Sequence, residues 1–157
     1  MAPIVARVLR VVRAVIIGVF ATMIVVTFAQ VVCRYVFQAP LPWSEELARY
    51  CFVWIVFLGA TLGLEKGVHI GVDILTVLLP KPLQRLLLRF NLLLILGFAV
   101  FLIVASLVVL QANRLQYSPA LGLQMAKVYL AIPLGMLVMA VIVLGKLFPG
   151  PQAEGRR

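Results

Sequence analysis

Residues 40–73 read PLPWSEELARYCFVWIVFLGATLGLEKGVHIGVD, and the division of this stretch between spanning helix and interface decides the fold. Four of the chain's five acidic residues lie in it. Its uncharged part, Tyr50 to Leu64, covers only about 22 Å at helical rise, short of a hydrocarbon core of about 30 Å. A helix started at Ser44 reaches about 31 Å and sets Glu45, Glu46 and Arg49 at headgroup depth, where charge costs less than at the bilayer centre. Local chemistry agrees with that start. Ser44 is a favourable N-cap, the two glutamates meet the positive end of the helix dipole, and Arg49 lies four residues after Glu45 and three after Glu46. Trp43 supplies an interfacial aromatic anchor.

Two rows run along this predicted helix. Trp43, Leu47, Tyr50, Trp54, Phe57 and Thr61 alternate spacings of four and three, a continuous and mostly aromatic seam. Gly59, Gly63 and Gly67 form a small-residue row of the kind that admits a second helix at short range in a membrane. An aromatic stripe also packs within its own chain or against lipid, so the seam has two readings at this point.

Outward from this stretch, the chain has 157 residues, 64% hydrophobic and 12% charged, outside the range of a soluble globular domain. The net charge of +9 does not indicate nucleic acid, because the basic residues are scattered between apolar runs. The apolar run Ala14–Cys33 follows Arg7, Arg10 and Arg13 and has the length of a span. It is long for a signal-peptide core and no A-x-A-like site follows, so it reads as an uncleaved first helix.

Glu65 to Pro82 is apolar but carries His69 and Asp73 and is closed by a Pro-Lys-Pro stop, and its run from Ile70 to Leu79 is too short to cross. It reads as a short amphipathic helix lying in the interface. His69 and Asp73 share a face at i and i+4. One His and one carboxylate are too few for a closed metal site, so they read as a hydrogen bond that fixes the turn. A third helix beginning near Pro82 carries Arg85 and Arg89, which can snorkel to lipid phosphates. Asn113 to Lys127 is the most polar loop between spans. The fourth span contains Pro133, which kinks it or sits in its first turns. The fold expected is therefore an all-α integral membrane protein, one domain over residues 1–157. Its four transmembrane helices lie near 12–34, 44–64, 84–112 and 128–147, with an interfacial helix near 69–79 between the second and third.

Ten basic residues (Arg7, Arg10, Arg13, Lys66, Lys81, Arg85, Arg89, Lys146, Arg156, Arg157) fall on one side of that layout and four (Arg34, Arg49, Arg114, Lys127) on the other. The positive-inside rule then puts both termini in the cytoplasm. Cys33 and Cys51 lie near the outer ends of neighbouring helices. A disulfide is geometrically conceivable there, and two unpaired thiols are the commoner outcome. A single His excludes a bis-His haem anchor, and neither G-x-S-x-G nor H-E-x-x-H is present. The sequence therefore assigns no catalytic, cofactor-binding or metal-ligating residues. Small four-helix exporters couple protons through a carboxylate within the span, whereas the carboxylates near the membrane here are at helix ends, where they read as caps and interface pairs.

The segment PLPWSEELARYCFVWIVFLGATLGLEKGVHIGVDIL, with its W-x-E-E-L-A-R-Y start and H-I-x-V-D end, resembles the small membrane subunit, of the DctQ type, of tripartite ATP-independent periplasmic (TRAP) transporters. YSPALGLQMAKVYLAIPLG resembles the outer loop and fourth helix of the same family. The resemblance implies a non-enzymatic brace, without cofactor, in a bacterial inner membrane. Such a chain supports a large multi-span subunit that takes up an organic acid with sodium, after delivery by a periplasmic binding protein. On that reading Trp43, Tyr50, Trp54, Phe57, Gly59 and Gly63 face the large subunit. Glu45, Glu46, Arg49, Arg114 and Lys127 form an outer polar cluster with two readings, a docking rim for the binding protein or, at Glu45 and Arg49, a pair that only stabilises the helix start. Lys127 departs from the pattern, which leads one to expect an aromatic residue there. The alternative is a small homodimeric exporter; the solute is not encoded in these motifs.

Overall fold

The computed structural model describes residues 3–65 and 80–147. Among them are five helices: α1 (Pro3–Tyr35), α2 (Pro42–Glu65), α3 (Lys81–Ala112), α4 (Met125–Tyr129) and α5 (Ala131–Leu147). Four segments are long and apolar enough to cross a membrane, with α4 and α5 together making the fourth. The all-α integral membrane reading is therefore correct. The expected interfacial helix, with His69 and Asp73, lies outside the described residues.

The helices run past the expected bounds wherever no breaker stops them. Proline at the first position opens α1, whose first turns contain Arg7, Arg10 and Arg13. At about 50 Å, α1 exceeds the hydrocarbon thickness, so it tilts or projects beyond it. Helix α2 begins at Pro42 rather than at a Ser44 cap. A proline at the first position lacks only an N–H that the helix could not have used, so it outcompetes the serine two residues later. Ser44 then lies inside the first turn, fully buried, with its hydroxyl donating to the Leu41 carbonyl at 2.6 Å.

Pro133 acts four residues upstream. Its ring crowds the carbonyl of Tyr129 and it offers no N–H in return. Helix α4 accordingly ends at Tyr129 and α5 starts at Ala131. Bonds from Leu130 N–H to Ala126 O and from Leu134 N–H to Leu130 O carry the span across the break.

Helix α5 is apolar all the way round, as suits a span with one side on its neighbours and Leu134, Leu137, Val141 and Leu144 left exposed. It packs between α2 and α3, while α1 lies chiefly along α2. The main apolar cluster joins Leu9 of α1, Leu64 of α2, and Ile142 and Val143 of α5. One contact sets the α2–α5 distance. A Cβ built on Gly135 would lie 2.8 Å from the carbonyl oxygen of Phe57 and 3.1 Å from its Cβ. The sequence pattern points to the glycine row of α2 for close approach. Within this chain the approach uses Gly135 of α5 instead, and nothing lies within 4 Å of a Cβ added at Gly59 or Gly63.

Candidate functional site

Helix α2 is tied at both ends by polar groups from elements distant in sequence. At its start Glu46 and Tyr50, one turn apart, share a face. Oε1 of Glu46 accepts from the Tyr50 hydroxyl. Oε2 accepts from the backbone N–H groups of Ala120 and Leu121, each at 3.0 Å. The buried Ser118 hydroxyl accepts from the Leu123 N–H at 3.2 Å within the same loop. Bonds to an ionised acceptor are about twice as strong as neutral ones, so the Glu46 carboxylate is the fastening of the loop.

The loop is shaped to present those donors. Ser118 N–H donates to Leu123 O at 2.8 Å and Met125 N–H to Gln116 O at 2.9 Å, with Tyr117 and Gln124 forming an isolated antiparallel bridge. Gly122, at φ 62°, supplies the left-handed residue that closes the turn without a Cβ penalty. Gln124 Nε2 donates to Arg114 O at 2.6 Å and draws the two ends together.

At the far end of α2, Lys146 Nζ donates to the Leu64 carbonyl at 2.6 Å, a cation on the negative pole of the helix. Glu65 pairs with Arg13 at 3.5 Å, a half-exposed contact that contributes little by itself. Glu46 and Glu65 are about 29 Å apart along the helix, close to the hydrocarbon thickness. Both ties therefore fall at headgroup depth.

The outer polar cluster expected from sequence divides into separate roles. Arg49 pairs with Glu45 at 3.1 Å on the open surface. Glu46 is not Arg49's partner and is engaged by Tyr50 and the loop. Arg114 contributes its carbonyl to the loop closure, and Lys127 borders a groove between α1, α2 and α4. Sequence reasoning names Glu46 but misses its partners. The Ser118-Pro119 and Gly122 turn signals are visible in the sequence, but not where they bring the N–H groups.

The aromatic seam lies on the packed side of α2. Tyr50 and Thr61 are buried, the Phe57 backbone meets Gly135, and Trp43 stays exposed. Leu47, Tyr50 and Trp54 line the groove that Lys127 borders. The opposite side carries the exposed Phe52 and Val56 with the open Gly59 and Gly63. Between α2 and α3 lies a second, larger groove of about 640 Å3, lined by Ala60, Gly63, Phe98 and Met139 among others. Cys33 is half-buried, Cys51 is buried, and both are free thiols. Among the described residues no three His, Cys, Asp or Glu side chains gather to hold a metal.

Residues 23–150 match the family described as tripartite ATP-independent periplasmic transporters, DctQ component. A Haemophilus influenzae chain assigned to the TRAP transporter small permeases is 33% identical over 81% of this chain and 80% of its own length. The C4-dicarboxylate TRAP small permease DctQ of Rhodobacter capsulatus is 39% identical over 63% of this chain and 44% of the relative. The isethionate TRAP permease DctMQ of Oleidesulfovibrio alaskensis is 32% identical over 83% of this chain, which spans only 22% of that longer protein. Matched along most of its length by a family of transporter subunits, this all-helical membrane chain belongs to the DctQ component of the TRAP transporters, as a small permease subunit.

Proposed function

We propose that this subunit braces a large multi-span permease in the bacterial inner membrane, for sodium-coupled uptake of an organic acid delivered by a periplasmic binding protein. The observation that carries the bracing role is the outward side of α2, where Phe52 and Val56 are exposed and nothing stands within 4 Å of a Cβ added at Gly59 or Gly63. Helices in lipid associate through close van der Waals packing, and an open glycine pair flanked by large apolar side chains suits that contact. Of the residues that the sequence assigns to this contact, Gly59 and Gly63 fit it, whereas Trp43, though exposed, lies on the seam side. Trp54, Tyr50 and Phe57 are engaged wholly or partly within the chain. The DctMQ relative, far longer than this chain, fits a small permease working alongside a larger one. C4-dicarboxylate and isethionate, the solutes in the relatives' names, support an organic acid as substrate class.

The test is co-purification. Nothing stands within 4 Å of a Cβ added at Gly63, and with circular dichroism confirming intact helices in Gly63→Leu, loss of the large permease from the purified complex is the expected result. Undiminished recovery from both Gly63→Leu and Gly59→Leu would move the contact off this side of α2. Self-association of the chain without a larger partner would favour the exporter reading. That reading has little support, since the described glutamates sit near the ends of α2 rather than in mid-span.

Orientation follows from the basic residues, with both termini cytoplasmic and the 113–124 loop periplasmic. Leu115, 90% exposed, is the natural reporter. With Cys33 and Cys51 replaced by serine, Leu115→Cys is expected to react with a membrane-impermeant maleimide from the periplasmic side. Reaction only after the membrane is permeabilised would invert the topology. On this orientation the Glu45–Arg49 pair and Arg114 face the periplasm, where charged rims govern encounter and orientation of a docking protein more than final affinity.

A further inference from the structure

The groove bordered by Lys127 joins an apolar slot to a charged amine. Val19 of α1, Leu47, Tyr50 and Trp54 of α2, and Val128 of α4 enclose about 340 Å3 of apolar space, open on one side. The α2 residues fall within three turns of Glu46, so the groove runs from headgroup depth into the hydrocarbon. Lys127 stands at its mouth, in the short helix that follows the latched loop. Its amine forms no hydrogen bond or ion pair among the described residues, and the described glutamates near it are already engaged. Glu46 is held by the loop and Tyr50, and Glu45 by Arg49. An amine above an apolar slot, with tryptophan and tyrosine lining the wall, matches a phosphate attached to an acyl chain. A soluble anion would leave the slot empty, and a neutral hydrocarbon would leave the amine unpaired.

We propose that this groove is a binding site for an anionic phospholipid, with the headgroup phosphate on Lys127 and one acyl chain along Leu47, Trp54 and Val19. The lipid fills the cleft between α1 and α4 and completes a packing surface that the four spans leave open.

Native mass spectrometry of the full chain tests this, after incubation with phosphatidylglycerol or phosphatidylcholine of equal chain length. Retention of one phosphatidylglycerol in preference to phosphatidylcholine is expected. Lys127→Gln should cut that preference about fivefold, and Lys127→Arg should restore it. Leu123→Trp, which keeps the amine but crowds the groove mouth, should reduce occupancy as well. Circular dichroism of each variant confirms that the helices are intact. Equal retention of the two lipids, or an unchanged preference in Lys127→Gln, would overturn the site. So would undiminished occupancy in Leu123→Trp, or displacement of the lipid by inorganic phosphate alone, which would make the groove irrelevant.

Discussion

Gly135→Ala is expected to destabilise the bundle by about 1–3 kcal/mol, the cost of forcing one methyl group into a filled interface. The added Cβ would lie 2.8 Å from the Phe57 carbonyl oxygen and 3.0 Å from its carbonyl carbon. Both are main-chain atoms in the middle of α2, so no side-chain rotation relieves the clash and the two helices must part. Parting them also loosens Phe57 and the cluster around Leu64, Ile142 and Val143 further along the same interface. Gly63→Ala is the matched control. Nothing stands within 4 Å of its new Cβ, and alanine in a helix interior is favoured over glycine by about 0.5–1 kcal/mol. Thermal unfolding in detergent should therefore fall for Gly135→Ala and hold or rise for Gly63→Ala. Equal stability of the two variants would show that α2 and α5 do not approach at Gly135.

Glu46→Ala is expected to release the 116–124 loop from α2 while the four spans remain in place. Removing the carboxylate strips Ala120 and Leu121 N–H of their acceptor and leaves Tyr50 with only the Met125 sulfur at 3.3 Å. Hydrogen exchange reads this directly. The amides of Ala120 and Leu121 should lose their protection, whereas Ser118 and Met125, bonded within the loop itself, should lose less. Glu46→Gln retains an oxygen acceptor and should fall between wild type and alanine. Glu45→Ala should leave the loop untouched, because Glu45 pairs only with Arg49 on the surface, a contribution of about 0.3–0.5 kcal/mol. Unchanged exchange at Ala120 and Leu121 in Glu46→Ala would remove the latch.

The two neighbouring glutamates thus separate a structural role from a docking role. If the loop presents a docking surface to a binding protein, Glu46→Ala lowers uptake by disordering the platform, at every ionic strength. Glu45→Lys leaves the platform intact and changes uptake only through the rim charge, an effect that fades as salt rises. Measuring both variants over a range of salt in reconstituted vesicles separates the two mechanisms.

The sequence by itself determined the number of spans, their order and the family, because each rests on local properties of the chain. Hydropathy over about 20 residues reports a span whatever its neighbours do. Pro133 ended a helix four residues upstream through its own ring, and W-x-E-E-L-A-R-Y is contiguous. The alternation along α2 also distinguishes two sides of that helix from residue spacing alone. Which side packs inward was decided only by the tertiary structure. Lipid is as apolar as a neighbouring helix, so an aromatic seam carries no label for protein or bilayer. Likewise Gly59, Gly63 and Gly135 look alike in sequence, and only the placement of α5 against Phe57 singles out the last. Glu46 shows the same limit in polar form. Its spacing suggests a helix start and a partner in Arg49, whereas it is bonded by Tyr50 one turn on and by two backbone N–H groups about 75 residues further along the chain. A carboxylate bonds to whichever donors the folded chain brings within about 3 Å of it, and loop closure and helix rotation, neither of them a local property, choose those donors.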